Sequence, residues 1–183
     1  MAKIKGNKLT EGFRGMFGKQ IVFRNRLGTP YAAGPPSGKK RKATPAQQKI
    51  RDKMPRCNEY AIEAIKDVEV KKAYAAAAVG GQTAVNIAFK DAWHEPVVHD
   101  IVANGYKGNT GDMIFVQATD DFKVVSVKVS IFDREGILIE EGAASIKKSM
   151  WVYVATMNNE NAGMIAVKAF DLPGNEGVME VLV

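Results

Sequence analysis

Alternation of residue types in the C-terminal half constrains the fold more than any other feature of the chain. In residues 124–131 every odd position is valine or isoleucine, and three of the four even positions are serine or lysine. Successive side chains of a strand point to opposite faces, so this pattern predicts a strand with one buried face. Further strands are predicted near 98–103 and at 113–118, 137–140, 151–156, 164–170 and 178–183.

These segments together predict a sandwich of two sheets. About seven short strands separated by regular turns within about 85 residues are typical of an antiparallel β-sandwich of immunoglobulin-like type. Trp151 is a candidate core anchor. Cys57 is the only cysteine, so the paired cysteines of antibody domains are absent, and a partly buried, unreactive thiol is expected there.

The middle of the chain predicts three helices. Thr44-Pro45-Ala46-Gln47 is a helix start: Thr44 can cap, proline fits the first helical position, and Gln47 completes a capping box. Pro55 is expected to interrupt or kink that first helix. A second helix is expected from a cap at Asp67 to the Gly80-Gly81 pair, and a third over about residues 83–93.

Charge is divided unevenly along the chain. Residues 1–56 hold 15 Lys and Arg against 2 Asp and Glu, whereas residues 57–183 hold 11 against 18. This predicts a basic tail on an acidic body. The organisation expected is a basic Gly-rich arm with a β-ribbon (1–43), a helical segment (44–95) and the sandwich (96–183), an α+β fold with an extended arm.

The arm contains a predicted β-ribbon. Residues 20–26 form a strand candidate, residues 27–29 a turn, and residues 30–33 a returning strand that Pro30 would restrict to a sheet edge. A two-stranded ribbon is marginal alone, so it needs this chain's own body or another molecule to lie on.

Nothing in the sequence predicts catalysis, a cofactor or a metal centre. The nucleophile elbow, the His-Glu-x-x-His motif, the Walker loop and the dinucleotide fingerprint are absent, which argues against an enzyme. Five carboxylates gather at predicted strand ends, where calcium is one interpretation and ordinary turn chemistry is the favoured one. They are Asp120, Asp121, Asp133, Glu135 and Asp171. His94 and His99 flank Pro96 and predict a domain junction rather than a metal site.

Two parts of the chain resemble known families. The segments 118–122 and 169–175 resemble bacterial immunoglobulin-like domains, which often carry an Ala-x-Asp-x-x-Gly-Asn turn before the last strand. Residues 43–48 with Arg51 resemble uncharacterised bacterial proteins that have a basic Gly-rich arm, a helical middle and such a C-terminal domain. The resemblance implies a fold and no activity, although immunoglobulin-like domains of this kind usually serve adhesion or assembly.

Two functions are favoured. The first is a non-enzymatic structural protein whose arm docks on a neighbouring copy or a larger assembly, such as a filament or a phage-type particle. Its contacts are predicted at Ile21, Phe23, Arg24, Arg26 and Tyr31. Arg24 and Arg26 share one strand face, and Ile21 and Phe23 share the other.

The second is sequence-nonspecific nucleic-acid binding through phosphate contacts. The residues predicted for it are Arg24, Arg26, Lys39, Lys40, Arg41, Lys42, Lys49, Arg51, Lys53 and Arg56. A carbohydrate-binding or adhesive module is a weaker third interpretation. No apolar stretch approaches the roughly 18 residues of a membrane span, and no apolar signal segment occurs in the first 30 residues, so a cytoplasmic protein is expected.

Overall fold

The computed structural model describes residues 2–35, 42–159 and 161–183, and this part of the chain is an α+β protein with antiparallel sheets. Its helices are α1 (Pro45–Ala64), α2 (Val68–Ala77) and α3 (Ala84–Trp93). The strands that precede the helices are β1 (Ala2–Lys3), β2 (Gly15–Phe17), β3 (Ile21–Arg26) and β4 (Thr29–Ala33). The strands that follow are β5 (Val97–Val102), β6 (Met113–Thr119), β7 (Val124–Asp133), β8 (Leu138–Ala143), β9 (Ser145–Lys147), β10 (Met150–Val154), β11 (Ala162–Asp171) and β12 (Glu176–Leu182).

The described residues form two compact units. The first consists of the residues up to Lys49 together with Val79–Gly81, and the second of Ile50–Ala78 together with Gln82–Val183. None of the helices in the described residues is both long and apolar enough to cross a membrane.

The first unit contains a four-stranded sheet in the order β1-β4-β3-β2, where the sequence predicted a two-stranded ribbon. The predicted hairpin is present: Leu27 and Gly28 join β3 to β4 with φ of 49° and 77°. Two successive positive φ angles give a two-residue turn whose twist matches the flanking strands. Strand β2 was missed because it lies in a glycine-rich stretch, between turns at Gly12 and Gly18 that also have positive φ.

Pro30 lies in an inner strand, and the expectation of an edge strand was wrong. Its carbonyl accepts a hydrogen bond from the Ile4 N–H at 3.1 Å, on the β1 side of β4. The N–H and C=O of a strand residue point to the same side, so the missing donor also faces β1. That ladder pairs only Ala2 with Ala32 and Lys3 with Tyr31, so it ends before Pro30 would have to donate.

The second unit is built on two four-stranded sheets, in the orders β5-β6-β10-β9 and β12-β11-β7-β8. Their inner faces share one core, to which Ile114 and Val116 contribute from one sheet and Val127, Val129 and Ile165 from the other. Val127, Val129 and Ile131 are fully buried, as the alternation in β7 predicted, whereas Val125 is exposed and Ser130 is buried. Trp151 lies in this core, 9% exposed. Strand β9 escaped prediction because its three residues are all exposed and lack the pattern of a half-buried strand.

The three helices begin where the sequence predicts. Thr44 and Gln47 form the expected capping box of α1, and Asp67 accepts hydrogen bonds from two N–H groups at the start of α2. Helix α1 continues through Pro55, so of the two predicted effects the interruption was wrong, and the kink stays a prediction. Pro55 lies on an exposed part of α1, where the loss of one intrahelical donor costs less than it would in a buried turn.

The helices have a small core of their own. Ala61, Tyr74, Ile87 and Ala88 are buried together, and Phe122 from the β6–β7 turn packs against them. The Tyr74 and Phe122 rings lie 4.4 Å apart between centroids. This contact places the helices against the end of the sandwich where β6, β7 and β11 have their termini.

Candidate functional site

The register of the N-terminal sheet divides the five predicted contact residues between its two faces. Arg24 lies directly opposite Tyr31, and directly opposed residues of antiparallel strands point to the same face. Arg24, Arg26 and Tyr31 therefore share one face, whereas Ile21 and Phe23 lie on the other. The predicted division of β3 is present, but the five residues do not form one continuous contact surface.

An aromatic face covers the side of this sheet that carries Ile21 and Phe23. Phe17 is the cross-strand partner of Ile21, and Phe13 packs edge-on against Phe23 with ring centroids 5.4 Å apart. Phe17 is 69% exposed, Phe13 52% and Ile21 40%. We call Phe13, Phe17, Ile21 and Phe23 the aromatic face. Phe13 and Phe17 were missed, although Phe13, Gly15 and Phe17 alternate with period two.

The first unit buries little of its apolar surface. Among its described residues Val22 is the only buried one, at 8% exposure. Contiguous exposed apolar patches on a protein mark interaction sites. The aromatic face is therefore a candidate docking surface.

Basic side chains surround this unit. Residues 2–35 hold seven Lys and Arg and one Glu. A cleft of about 320 Å³ is lined by Lys5, Arg14 and Arg24 among other residues. Lys39, Lys40 and Arg41 of the predicted phosphate-binding set lie outside the described residues, and Lys42 is exposed. The cleft is the feature of this unit that best fits an anionic ligand.

The basic residues of α1 that were predicted to bind phosphate differ in whether their side chains are exposed or ion-paired. Lys49, Arg51 and Arg56 are exposed. Lys53 instead pairs with Glu95 at 3.5 Å, and its Nζ lies 5.7 Å from the centroid of the Trp93 ring. Lys53 is thus occupied in holding α1 against the end of α3 and is a weak candidate for phosphate contact.

A cluster of three carboxyl groups lies where the helices meet the sandwich. Asp91 comes from α3, Asp120 from the β6–β7 turn and Asp171 from the end of β11. One carboxyl oxygen of each lies within 4.8 Å of the corresponding atoms of the other two. Asp91 is fully buried and Asp171 is 4% exposed. We call these residues the carboxyl cluster.

Hydrogen-bond donors reach one oxygen of Asp91 and both oxygens of Asp171. The Tyr74 hydroxyl donates to Asp91 Oδ2 at 2.5 Å, and the Tyr60 and Tyr74 hydroxyls are 2.9 Å apart. Burial raises the pKa of Tyr74 well above its usual value, so the hydroxyl stays a donor. Asn175 donates its backbone N–H and its amide to the two oxygens of Asp171, at 2.6 and 2.7 Å.

Hydrogen bonds also hold Asp120, the third member of the carboxyl cluster. The N–H groups of Phe122 and Lys123 donate to Asp120 Oδ2 at 2.9 and 3.0 Å. Asp91 Oδ1 and Asp120 Oδ1 are both buried and have no donor among the described residues. Each of these two residues therefore keeps one buried carboxyl oxygen without a donor.

The protonation of the cluster reflects its burial. Burial raises the pKa of Asp91 to about 7; the hydrogen bond from Tyr74 opposes this rise, whereas a side-chain hydrogen bond with Asp120 and the charges of Asp120 and Asp171 add to it. Burial also raises the pKa of Asp171, although Asn175 donates to its charged form. Like charges this close disfavour simultaneous ionisation, so a proton or a cation is needed to neutralise the cluster.

Only two of the five carboxylates singled out from the sequence belong to this cluster. Asp121 pairs with Lys90 and His94, while Asp133 accepts from the N–H groups of Glu135 and Ile137 in an ordinary turn. Asp91 was missed. The available signal was its spacing, because Asp91 is in helical phase with the buried Ile87 and Ala88 and lies on the apolar face of α3.

The two histidines are engaged by side chains of the sandwich end. His94 pairs with Asp121, and His99 Nε2 lies 2.5 Å from Thr119 Oγ1. The buried Cys57 thiol donates to the Ala92 carbonyl at 3.2 Å, and burial raises the pKa of Cys57. The partners that the structure describes for these three groups are Asp121, Thr119 and the Ala92 carbonyl, none of which belongs to the carboxyl cluster.

Comparison with known proteins adds little to this geometry. No protein-family model and no curated protein matches the chain. Among solved structures, an engineered protein is 18% identical over 48% of this chain and 18% of its own length, with a TM-score of 0.34. CopC from Methylosinus trichosporium OB3b is 19% identical over 49% of this chain and 93% of its own, with a TM-score of 0.34. A hypothetical protein from Pyrococcus horikoshii OT3 is 12% identical over 49% and 88%, with a TM-score of 0.31. Similarity at this level carries no functional argument.

Proposed function

We propose that this chain is a non-enzymatic structural protein. Its N-terminal sheet docks on a second copy of the chain, and repetition of that contact builds a larger assembly such as a filament or a phage-type particle. In this proposal the building block is an immunoglobulin-like sandwich, and the basic N-terminal region links one block to the next. Two folded surfaces meet, rather than an extended arm and a sheet edge.

The aromatic face is the observation that carries the proposal. Phe17 and Ile21 are a cross-strand pair on a sheet face, and both are exposed in the single chain. Burial of apolar area contributes about 25 cal/mol per Å², so two or three aromatic side chains can anchor a contact. The strand edges are less suitable, because β1 and β2 offer only two and three residues for strand addition.

Charge favours another copy as the occupant. The basic residues 1–56 and the acidic residues 57–183 are complementary, so a head-to-tail contact between copies brings opposite charges together. A contact between two different patches does not close on itself unless the rotation allows it, and it can therefore extend into a chain of subunits.

A suitable acceptor lies on the edge strand β12. Its exposed positions are Glu176, Val178, Glu180 and Leu182, which we call the β12 row. Val178 is 51% exposed and Leu182 81%. Acidic and apolar side chains alternate along this row, and the docking unit is apolar with basic surroundings. Glu176 already pairs with Lys168 at 3.3 Å, so the charge of the row that is proposed to attract the basic unit is mainly that of Glu180.

The test is the mass of the full-length protein in solution, measured by light scattering after nuclease treatment at low and high salt. The wild-type chain is expected as a multimer whose apolar contact persists at high salt. Phe17→Ser is expected to lower the mass to that of one chain. Leu9→Ser is the matched control, because Leu9 is 84% exposed in the same unit but is not part of the aromatic face.

A single-chain mass for the wild-type protein at both salt concentrations would overturn the assembly proposal. The nucleic-acid alternative has its own signature in the same experiment. Nucleic acid that co-purifies before nuclease treatment, and whose binding falls steeply with salt, would move the function to the basic cleft. Arg14→Ala and Arg24→Ala would then weaken that binding, whereas Phe17→Ser would leave it unchanged.

A further inference from the structure

The donors around the carboxyl cluster leave one buried oxygen of Asp91 and one of Asp120 without a donor. The donors described above reach both oxygens of Asp171, from Asn175, but only Oδ2 of Asp91, from Tyr74, and Oδ2 of Asp120, from two backbone N–H groups. Asp91 Oδ1 is fully buried without a donor, and Asp120 Oδ1 is its counterpart on the facing turn. A buried polar atom that lacks a partner costs free energy unless something else satisfies it.

The neighbouring cationic side chains are used elsewhere. Lys90 Nζ lies 3.0 Å from Asp121 Oδ1, and His94 also pairs with Asp121. Lys123 contacts Asp120 through its backbone N–H. The charge of the cluster is therefore not balanced by the basic residues beside it in the sequence.

We propose that Asp91, Asp120 and Asp171 bind a divalent cation, with calcium as the preferred ion. The proposal rests on two observations: three carboxyl groups with oxygens within 4.8 Å of one another, and an oxygen of the fully buried Asp91 that has no donor. It is independent of the docking function proposed above.

The chemistry of the ligands selects the ion. All three ligands are carboxylate oxygens, and neither a thiolate nor an imidazole points into the cluster through a described contact. Calcium binds oxygen at 2.3–2.6 Å and accepts irregular geometry with water completing its shell. Atoms within 4.8 Å of one another can surround one such ion with movements of a few tenths of an ångström. Magnesium, with shorter bonds and strict octahedral geometry, requires a larger contraction.

The ion would join three elements that are distant in sequence. Asp91 belongs to α3, Asp120 to the turn between β6 and β7, and Asp171 to the turn before β12. Asn175 already links two of these places, since its amide reaches the carbonyls of Asp91 and His94 at 3.3 Å. Cation binding would therefore fasten the helices to the end of the sandwich.

The experiment is calcium titration of the chelator-treated, full-length protein at pH 7.5, by calorimetry and by thermal unfolding. One ion per chain is expected to bind and to raise the melting temperature, with magnesium weaker. Asp120→Asn is expected to weaken binding at least tenfold, because it removes one of three charged ligands. Asp133→Asn is the matched control: Asp133 occupies another turn of the same sandwich and should leave binding unchanged.

A second variant keeps the proposal falsifiable if Asp120→Asn folds poorly. Asp91→Asn supplies an amide donor for the facing oxygen, so it is expected to fold and to lose the calcium response. Absence of heat and of a melting shift at millimolar calcium in the wild-type protein would overturn the site. So would an equal response in the wild type and Asp120→Asn, which would indicate surface binding. A calcium-insensitive wild type stabilised by mild acid would assign the cluster to a shared proton.

Discussion

At the scale of single residues, Tyr74 has the most demanding surroundings. It is fully buried, donates to Asp91, contacts Tyr60 and packs against Phe122. Its hydroxyl is the one described donor to a fully buried carboxyl group. A position of this kind tolerates little chemical change, because removing the donor leaves the acceptor buried and unpaired.

We therefore expect Tyr74→Phe to lower the free energy of unfolding by about 1–3 kcal/mol. The ring and its packing are retained, so the loss reports on the hydroxyl. Urea denaturation followed by circular dichroism measures it. Tyr60→Phe is the comparison, because Tyr60 is only half-buried and this variant leaves the hydrogen bond from Tyr74 to Asp91 intact. An equal loss of stability in both variants would contradict this role of Tyr74.

Asp112 provides a pH-dependent prediction far from the carboxyl cluster in sequence. The N–H groups of Asn109 and Lys107 donate to its Oδ2, at 2.9 and 2.7 Å, and hold the pKa of Asp112 below its usual value. A lowered pKa in the folded state means that the charged form stabilises the fold. This contribution is complete above the pKa of the unfolded chain and is lost as the pH falls through the folded value.

The titration of the Asp112 carboxyl carbon in NMR spectra is expected to have its midpoint below 3.8, the ordinary value for aspartate. Asp112→Asn is expected to flatten the acid limb of the stability curve, because the variant has no proton to gain there. A midpoint at or above the ordinary value would show that the two N–H groups do not favour the charged form.

At the scale of elements, the edge strands β5 and β12 of the two sandwich sheets approach each other closely. Gly177 of β12 lies against the backbone of Pro96, immediately before β5, and a side chain at this position would overlap the Pro96 carbonyl. Here glycine is required by space rather than by a positive φ. The close approach brings the edge strands of the two sheets together at one side of the sandwich.

Gly177→Ala is expected to destabilise the protein by about 3 kcal/mol, at the upper end for overpacking, because the obstructing atoms are backbone. Thermal and urea unfolding measure the change. Gly105→Ala is the matched control, since a Cβ there meets no atom within 4 Å and the position has no positive φ. Similar melting temperatures for the two variants would refute the close approach of β12 and β5.

Helix α1 shows that a proline inside a helix does not always end it. Pro55 removes one hydrogen bond, yet the helix runs for 20 residues from Pro45 to Ala64. The buried residues Cys57 and Ala61 come after the proline and anchor the second half. The capping box at Thr44 fixes the start. Packing and capping at the two ends outweigh a single lost donor between them.

At the scale of the whole molecule, the separation of charge is the dominant feature. Residues 1–56 hold 15 of the 26 Lys and Arg, and residues 57–183 hold 18 of the 20 Asp and Glu. Within one chain this division has no evident structural purpose. Between copies, the division of charge determines which surfaces attract each other and how strongly their contact depends on salt.

If the β12 row is the acceptor, Glu180→Lys is expected to weaken association of the full-length protein by about tenfold at low salt and less at high salt, where charges are screened. Light scattering over a concentration series measures this change. Glu135→Lys makes the same change of charge in an exposed turn outside the row and serves as the control. An equal effect of both variants would indicate net charge rather than a specific acceptor.

The sequence by itself determined the elements and most of their boundaries. Period-two alternation identified the strands from β5 to β12 except β9, and the caps at Thr44 and Asp67 located the starts of α1 and α2. These signals are local, because each depends on the direction of neighbouring side chains or on the first turn of a helix. The sequence did not predict strand β2 or the inner position of Pro30, since both depend on which strands pair.

Only the tertiary structure decided which residues meet. It placed Tyr31 beside Arg24, added Phe13 and Phe17 to the face that carries Ile21, and brought Asp91 together with Asp120 and Asp171. The members of the carboxyl cluster are separated by 29 and 51 positions in the sequence. No local pattern encodes such a meeting. It arises because the contact between Phe122 and Tyr74 packs the helices against one end of the sandwich. Asp120 and Asp171 lie at strand termini at that end.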